Sequence, residues 1–313
     1  MIRIFKTEDG AMHEKEEIQP GCWIALTNPT ASEILEIADA CQIDPDHLKA
    51  PLDEEERSRI EAEDEYTLIL VDIPSIEERN GKDWFVTIPM AIITTKDVLI
   101  TVCLEETPIL TAFMDGRVRD FHTFMKTRFI LQILYKNATQ YLQYLRIIDK
   151  KSEVIENKLH QSQKNEELIE LLELQKSLVY FTTSLRSNEV VLEKLLRIDK
   201  IKKYPEDTDL LEDVIVENKQ AMEMTSIYNG ILSGTMDTFA SVISNNLNIV
   251  MKFLATVTIV MSIPTMVASF YGMNVRASGM PFAEHPYGFG IVLFFTLVLT
   301  LIVAYIFNKK DLF

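Results

Sequence analysis

Two uncharged apolar runs lie near the end of the chain, residues 253–271 (19 positions) and 287–307 (21 positions). Each is long enough to cross a bilayer core of about 30 Å as a helix. Upstream the pattern has shorter periods. Residues 2–5 and 22–26 are brief apolar runs bounded by Gly, Pro and Asn, and they predict strands. Residues 66–73, 85–94 and 98–103 are rich in β-branched side chains and predict three more, with turns at Asn80-Gly81 and Lys96-Asp97. Between these, Thr30 or Ser32 caps a helix through Ile34, Leu35, Ile37 and Ala38. Pro45 opens a short helix near His47 and Leu48, and an acidic stretch follows at residues 53–65.

From Phe121 the period becomes helical. Phe121, Phe124, Met125, Phe129, Leu134, Ala138, Tyr141, Leu142, Leu145 and Ile148 recur at steps of three and four, giving a long amphipathic helix to about Gln161. A polar break at residues 163–165 precedes a second helix through Leu168, Leu171, Leu172, Leu178, Leu185, Leu192 and Leu195. Two long helices with a short link pack antiparallel. Lys202, Lys203 and Pro205 stop the second helix. Asp207, Thr208 or Asp209 then caps a third. With no proline until Pro264, the third is expected to run from about Thr208 through Tyr271, with Gly230 and Gly234 inside it. At ~1.5 Å per residue that is roughly 95 Å, so the first span is the far end of a longer stalk.

This gives an α+β domain, a mixed sheet with flanking helices, at residues 1–120. An antiparallel helix pair (121–205) and a stalk (206–252) follow. Then come a first span (253–271), a loop (272–286), a second span (287–307) and a basic tail (308–313).

The formal charge of −16 is unevenly placed. Glu284, Asp311, Arg276, Lys309 and Lys310 are the only charged side chains from Phe253 onward, so the first 252 residues carry −17. No basic footprint for nucleic acid is present, and an acidic domain concentrates cations. Cys22, Cys41 and Cys103 lie far apart without metal spacing, which predicts free thiols in a reducing compartment. No signal peptide opens the sequence, so the first span is expected to act as its own insertion signal. Lys252 flanks the first span, Lys309 and Lys310 the second, and Arg276 is the only base between them. The positive-inside rule places both termini in the cytoplasm. No phosphate loop, nucleophile arrangement or catalytic metal motif occurs, so no enzyme activity and no cofactor are expected.

The two spans differ. The second is Leu, Val, Phe and Ile, interrupted by Thr296 and Thr300. The first continues a polar row that begins in the stalk: Asp237, Ser241, Ser244, Asn248, Met251, Leu254, Thr258, Ser262, Thr265 and Ser269, at steps of three or four on one helix face. Such a face suits the wall of a water-filled pore. The competing reading is that hydroxyls in membrane helices bond back to their own carbonyls or across to a neighbour. At the outer end stand Gly272, Met273 and Asn274. Mg²⁺ is small, wants oxygen ligands and gives up its waters reluctantly. Repeated Asn274 carboxamides and Gly272 carbonyls can hold the hydrated ion through those waters. One two-span subunit cannot enclose a channel, so several copies must surround an axis.

These residues resemble the CorA family of divalent-cation transporters, in its two-span Gly-Met-Asn group. The resemblance is carried by Ser244-Asn245-Asn246-Leu247-Asn248-Ile249-Val250-Met251-Lys252, Pro264-Thr265 and Tyr271-Gly272-Met273-Asn274, with Trp23 and Asn28-Pro29-Thr30 upstream. It implies a funnel-shaped homopentamer in the cell membrane that carries Mg²⁺, and often Co²⁺ or Ni²⁺, down its gradient. It implies Gly272, Met273 and Asn274 as selectivity filter. Asn248, Met251, Leu254, Thr258, Ser262 and Thr265 match pore-lining positions, and Asp237 an acidic ring. Asp213 matches one half of a regulatory Mg²⁺ site between subunits. The sequence departs from the family where Asp213's partner acids would fall, at Lys49-Ala50, with Asp53, Glu54 and Glu55 following. It departs again at Met280-Pro281-Phe282, which lacks the family's acid, and Arg276 stands beside the filter. Two other readings stay open: a proton-coupled Zn²⁺, Ni²⁺ or Co²⁺ transporter of the ZntB group, whose members commonly show Gly-Ile-Asn, and a membrane-anchored interaction protein.

Overall fold

The computed structural model describes residues 1–8, 10–79, 81–162, 165–198 and 205–310. It divides into two compact units, Met1–Met236 and Asp237–Phe313.

The first unit is built on a seven-stranded mixed sheet in the order β2-β1-β3-β7-β6-β5-β4. The strands are β1 (Ile2–Glu8), β2 (Ala11–Lys15), β3 (Trp23–Thr27), β4 (Arg59–Ala62), β5 (Tyr66–Arg79), β6 (Lys82–Thr95) and β7 (Leu99–Cys103). Only β3 and β7 pair in parallel. All five expected strands are present, and β5 and β6 are longer than their apolar stretches. Their register runs unbroken from Tyr66 opposite Thr95 to Arg79 opposite Lys82. Gly81 takes φ +73° at the hairpin end, where a side chain would be strained; Asn80, the other half of the expected turn, lies outside the described residues.

The alternation of side chains across the strands makes two cores. One face carries Trp23, Ile69, Val71, Ile73, Met90 and Leu99. It packs against α3 (Pro108–Met114), α4 (Lys126–Ser162) and α5 (Asn165–Arg197). The other face carries Ile24, Leu26, Leu68, Leu70, Ile93 and Ile100 against α1 (Ala31–Cys41) and α2 (Pro45–Lys49). Trp23 centres the first core. Its ring lies 5.1 Å from Phe5 and Phe129 and 6.4 Å from Phe121, and its Nε1 donates to Thr101 Oγ1 at 2.9 Å. This explains why α4 begins at Lys126 rather than Phe121. The Phe121 ring is drawn into the Trp23–Phe113–Phe129 cluster, and Asp120 takes φ +52°, outside helical space. The cap of α1 is Thr30, which with Glu33 completes a reciprocal capping box. The polar break at 163–164 and the stop at 202–204 lie outside the described residues.

The long helices grip the sheet at the backbone of one residue, Asp72. β4 ends with Arg59 opposite Leu70, and Asp72 faces Pro89, which has no N–H to offer. Side chains take the place of a strand. The Asp72 N–H donates to Asn188 Oδ1 at 2.9 Å. Its carbonyl accepts from Asn188 Nδ2 (2.8 Å), Asn137 Nδ2 (2.9 Å) and Tyr141 OH (3.1 Å). The buried carboxamide of Asn188 thus acts as a substitute peptide group joining α5 to β5. Replacing it strands a buried N–H, which costs about 1–3 kcal/mol. Asn188→Ala is therefore expected to lower the unfolding free energy by about that much, read as an earlier midpoint in urea.

The helix α6 (Pro205–Tyr271) contributes to both units and is continuous through Gly230, Gly234 and Pro264. It starts slightly before the expected Thr208. In the second unit it is followed by a loop with a single 3-10 turn (Ala277–Gly279) and then α7 (Gly288–Lys309). The helix carrying residues 206–271 and α7 are each long and apolar enough to cross a membrane.

Candidate ion path and its outer turn

The polar row of α6 is regular because the helix is unbroken. Asp237, Ser241, Ser244, Asn248, Met251, Leu254, Thr258, Ser262, Thr265 and Ser269 are all helical and all exposed in the single chain. Exposed Met and Leu positions within a polar row are open surface, and in the same helix Thr256 is buried instead.

The hydroxyls have a consistent geometry. Ser241 Oγ donates to the Asp237 carbonyl (2.9 Å) and Thr258 Oγ1 to that of Leu254 (2.7 Å). Ser262 Oγ donates to the Ile259 carbonyl (2.7 Å) and Thr265 Oγ1 to that of Met261 (3.3 Å). Both sequence-level alternatives meet here. The protons bond back into the helix, as the competing reading expects, and each hydroxyl oxygen keeps lone pairs able to accept. Such a surface accepts hydrogen bonds from water around a cation.

At Tyr271 the helix ends. The Gly272 N–H reaches back to the carbonyls of Ala268 (3.0 Å) and Ser269 (3.2 Å), and the Met273 N–H to Phe270 (3.3 Å). The Val275 N–H then closes a tight turn on the Met273 carbonyl at 2.9 Å. Gly272, Met273 and Asn274 are exposed. Among the described residues no side chain is bonded to the Asn274 carboxamide, so both its oxygen and its amide group are available. The turn therefore offers neutral oxygen ligands. Among the described residues of the single chain there is no group of three His, Cys, Asp or Glu side chains able to hold a metal ion.

The expected regulatory residue, Asp213, lies in the first unit on α6 and is exposed. Asp213 and Glu217, one helical turn apart, both act on Tyr135 of α4. The Tyr135 phenol is pushed above its ordinary pKa by burial first, and then by the charges of Glu217 and Asp213. Lys49 is paired with Asp46 at 3.2 Å.

The outer loop holds contacts that periodicity did not reveal. Tyr271 OH donates to the Pro281 carbonyl at 2.7 Å. Phe282 takes φ +62°, and its ring stacks near Phe295 of α7 at 6.5 Å. Gly288, the first residue of α7, lies directly against the Phe282 backbone. The Gly in Tyr287-Gly288-Phe289 was the available signal, but only the fold shows what it touches.

These features define a two-span membrane protein with a sheet-bearing soluble unit and an oxygen-lined row on its first candidate span. A family model described as CorA-like Mg²⁺ transporter protein matches residues 19–310, and the chain belongs to that family. It is 28% identical over 297 residues to the cobalt/magnesium transport protein CorA of Methanocaldococcus jannaschii, covering 92% of this chain and 90% of that one. It is 27% identical over 170 residues to the protein of the same description from Thermotoga maritima, over 54% of this chain and 48% of that one. The complete structure of the CorA magnesium transporter from M. jannaschii superposes with a TM-score of 0.87 at 26% identity, over 99% of this chain and 98% of that one.

Proposed function

We propose that this protein conducts hydrated Mg²⁺ across the cell membrane down its electrochemical gradient, with Co²⁺ and Ni²⁺ as further cargo. The observation that carries the reading is the exposed polar row along the unbroken helix α6, interrupted by Met251 and Leu254, that ends in the Gly272-Met273-Asn274 turn. Neutral oxygens suit an ion that keeps its waters, because they bind the hydration shell without having to replace it.

In this reading five copies surround the path, both termini are cytoplasmic, and the Asn274 carboxamides form the selecting ring. Asp237 forms an acidic ring on the inner side. Thr258, Ser262, Thr265 and Ser269 line the membrane part, with Ser241, Ser244, Asn248, Met251 and Leu254 leading into it. Asp213 is the remaining half of a cytoplasmic Mg²⁺-responsive site, with Lys49 and Ala50 where the partner acids would stand.

Ion entry into liposomes containing the purified full-length protein tests the proposal. Mg²⁺ should enter without a pH gradient, with Co²⁺ and Ni²⁺ also carried. Zn²⁺ entry that requires a pH gradient would replace it with the proton-coupled reading. A folded oligomer that passes none of the four ions would favour an interaction protein.

A further inference from the structure

The loop between α6 and α7 is fastened at two adjacent residues, and the fastening is strained. Phe282 is a bulky aromatic residue in left-handed backbone space, φ +62°. Such a residue persists there only where its surroundings over-determine it, and such positions cluster at functional sites. Three contacts do so here. Immediately before it, the Pro281 carbonyl accepts the Tyr271 hydroxyl at 2.7 Å, tying the loop to the last residue of α6. The Phe282 ring stacks near Phe295, one helical stretch into α7. The Phe282 backbone also lies on the first residue of α7: a Cβ built on Gly288 would run into the Phe282 carbonyl oxygen and lie 3.2 Å from its carbonyl carbon. Gly288 is buried, so the obstruction is backbone against backbone and no flexible side chain can yield. The Gly288 N–H bonds to the His285 carbonyl at 2.9 Å, which closes the same corner.

Tyr271 is also the residue directly before Gly272. The contact that holds the loop therefore holds the start of the Gly-Met-Asn turn. The turn itself has few bonds of its own beyond those returning to the helix end. Beyond Met273 the turn has the Val275 N–H to Met273 carbonyl bond and little else, so contacts from outside the turn bear on the position of Asn274. We infer that Gly288, Phe282 and Tyr271 form a clamp that positions the Asn274 carboxamide, with Gly288 as the positioning residue whose missing side chain lets the clamp close. This rests on the proposal that Asn274 selects the ion. A neutral-oxygen ring that binds an ion through its water shell depends on spacing more than on charge. A clamp that sets the spacing therefore sets selectivity as well as rate.

Mg²⁺ and Na⁺ flux into liposomes tests this for the full-length protein and for Gly288→Ala, Tyr271→Phe and Asn274→Ala, each beside its thermal midpoint and oligomer size. Gly288→Ala is expected to lower Mg²⁺ flux by about tenfold and to lower the Mg²⁺/Na⁺ flux ratio with it, at unchanged oligomer size. Tyr271→Phe keeps the ring and loses one hydrogen bond, and should lower the same ratio by about fivefold. If Gly288→Ala does not fold, Tyr271→Phe decides. Wild-type flux and ratio in both clamp variants, with transport lost in Asn274→Ala, would overturn the clamp and leave the selecting ring standing. A flux that falls only in step with the amount of folded oligomer, at a constant ion ratio, would also overturn it. Full transport in Asn274→Ala would remove the reading on which the clamp rests.

Discussion

Asn274→Ala is expected to abolish selective Mg²⁺ entry, with flux at least a hundredfold below wild type and no loss of assembly. The size of the effect follows from repetition. If five chains each present one carboxamide, the substitution removes five oxygen ligands at once, and even about 0.5–1.5 kcal/mol for each hydrogen bond to the water shell sums to several kcal/mol. Each 1.36 kcal/mol is about a factor of ten in rate. The fold should not be affected, because the residue is exposed and stands outside both α6 and α7. The measurement is liposome flux beside size-exclusion chromatography. Unchanged flux from an intact oligomer would refute the filter assignment.

Asp72→Asn is expected to stabilise the protein near neutral pH, although it removes a native acid from the centre of the soluble unit. Burial pushes the Asp72 carboxyl up to about 6, with the nearby Ser184 and Ser58 hydroxyls acting in the opposite direction. The unfolded chain ionises this group near its ordinary value of about 3.9, so between about pH 4 and 6 the folded state binds more protons than the unfolded one. Stability from this group is therefore full below about pH 4 and falls as pH rises through 6. Above that the charged form is held in the interior at a cost on the order of 3 kcal/mol. The asparagine keeps the shape and removes the charge. At pH 7.5 its thermal midpoint should rise by several degrees, and at pH 4 the two proteins should converge. A variant less stable at both values would show that the carboxylate holds a partner worth more than its burial costs.

The elements that were legible in the sequence are those in which one period dominates. The two short apolar strands and the three rich in Val, Ile and Thr were readable, as were the long helices whose apolar residues recur at three and four. β2 was not, because Ala-Met-His-Glu-Lys has no alternation and forms an exposed edge held by the register of β1. β4 was hidden inside an acidic stretch. There Arg59 is paired with both Glu56 and Glu61, which lets Ile60 be buried in a segment that reads as solvent-exposed. α3 carries Thr107 as N-cap and Pro108 in its first turn, a local signal that was present but is short. At the candidate site the polar row was readable from its spacing, and the turn from its place between the two apolar runs. The contact between Phe282 and Gly288 did not, since it joins backbone to backbone and leaves only a glycine as its trace.

The back-bonded hydroxyls of α6 have one more consequence. A proton wire needs each hydroxyl to accept a proton on one side and release one on the other. Thr258, Ser262 and Thr265 have their O–H bonds committed to carbonyls of their own helix. A proton relayed by these side chains would have to break each of those bonds in turn. These three hydroxyls are therefore poor proton relays, and any proton passing them would be carried by water rather than by the side chains.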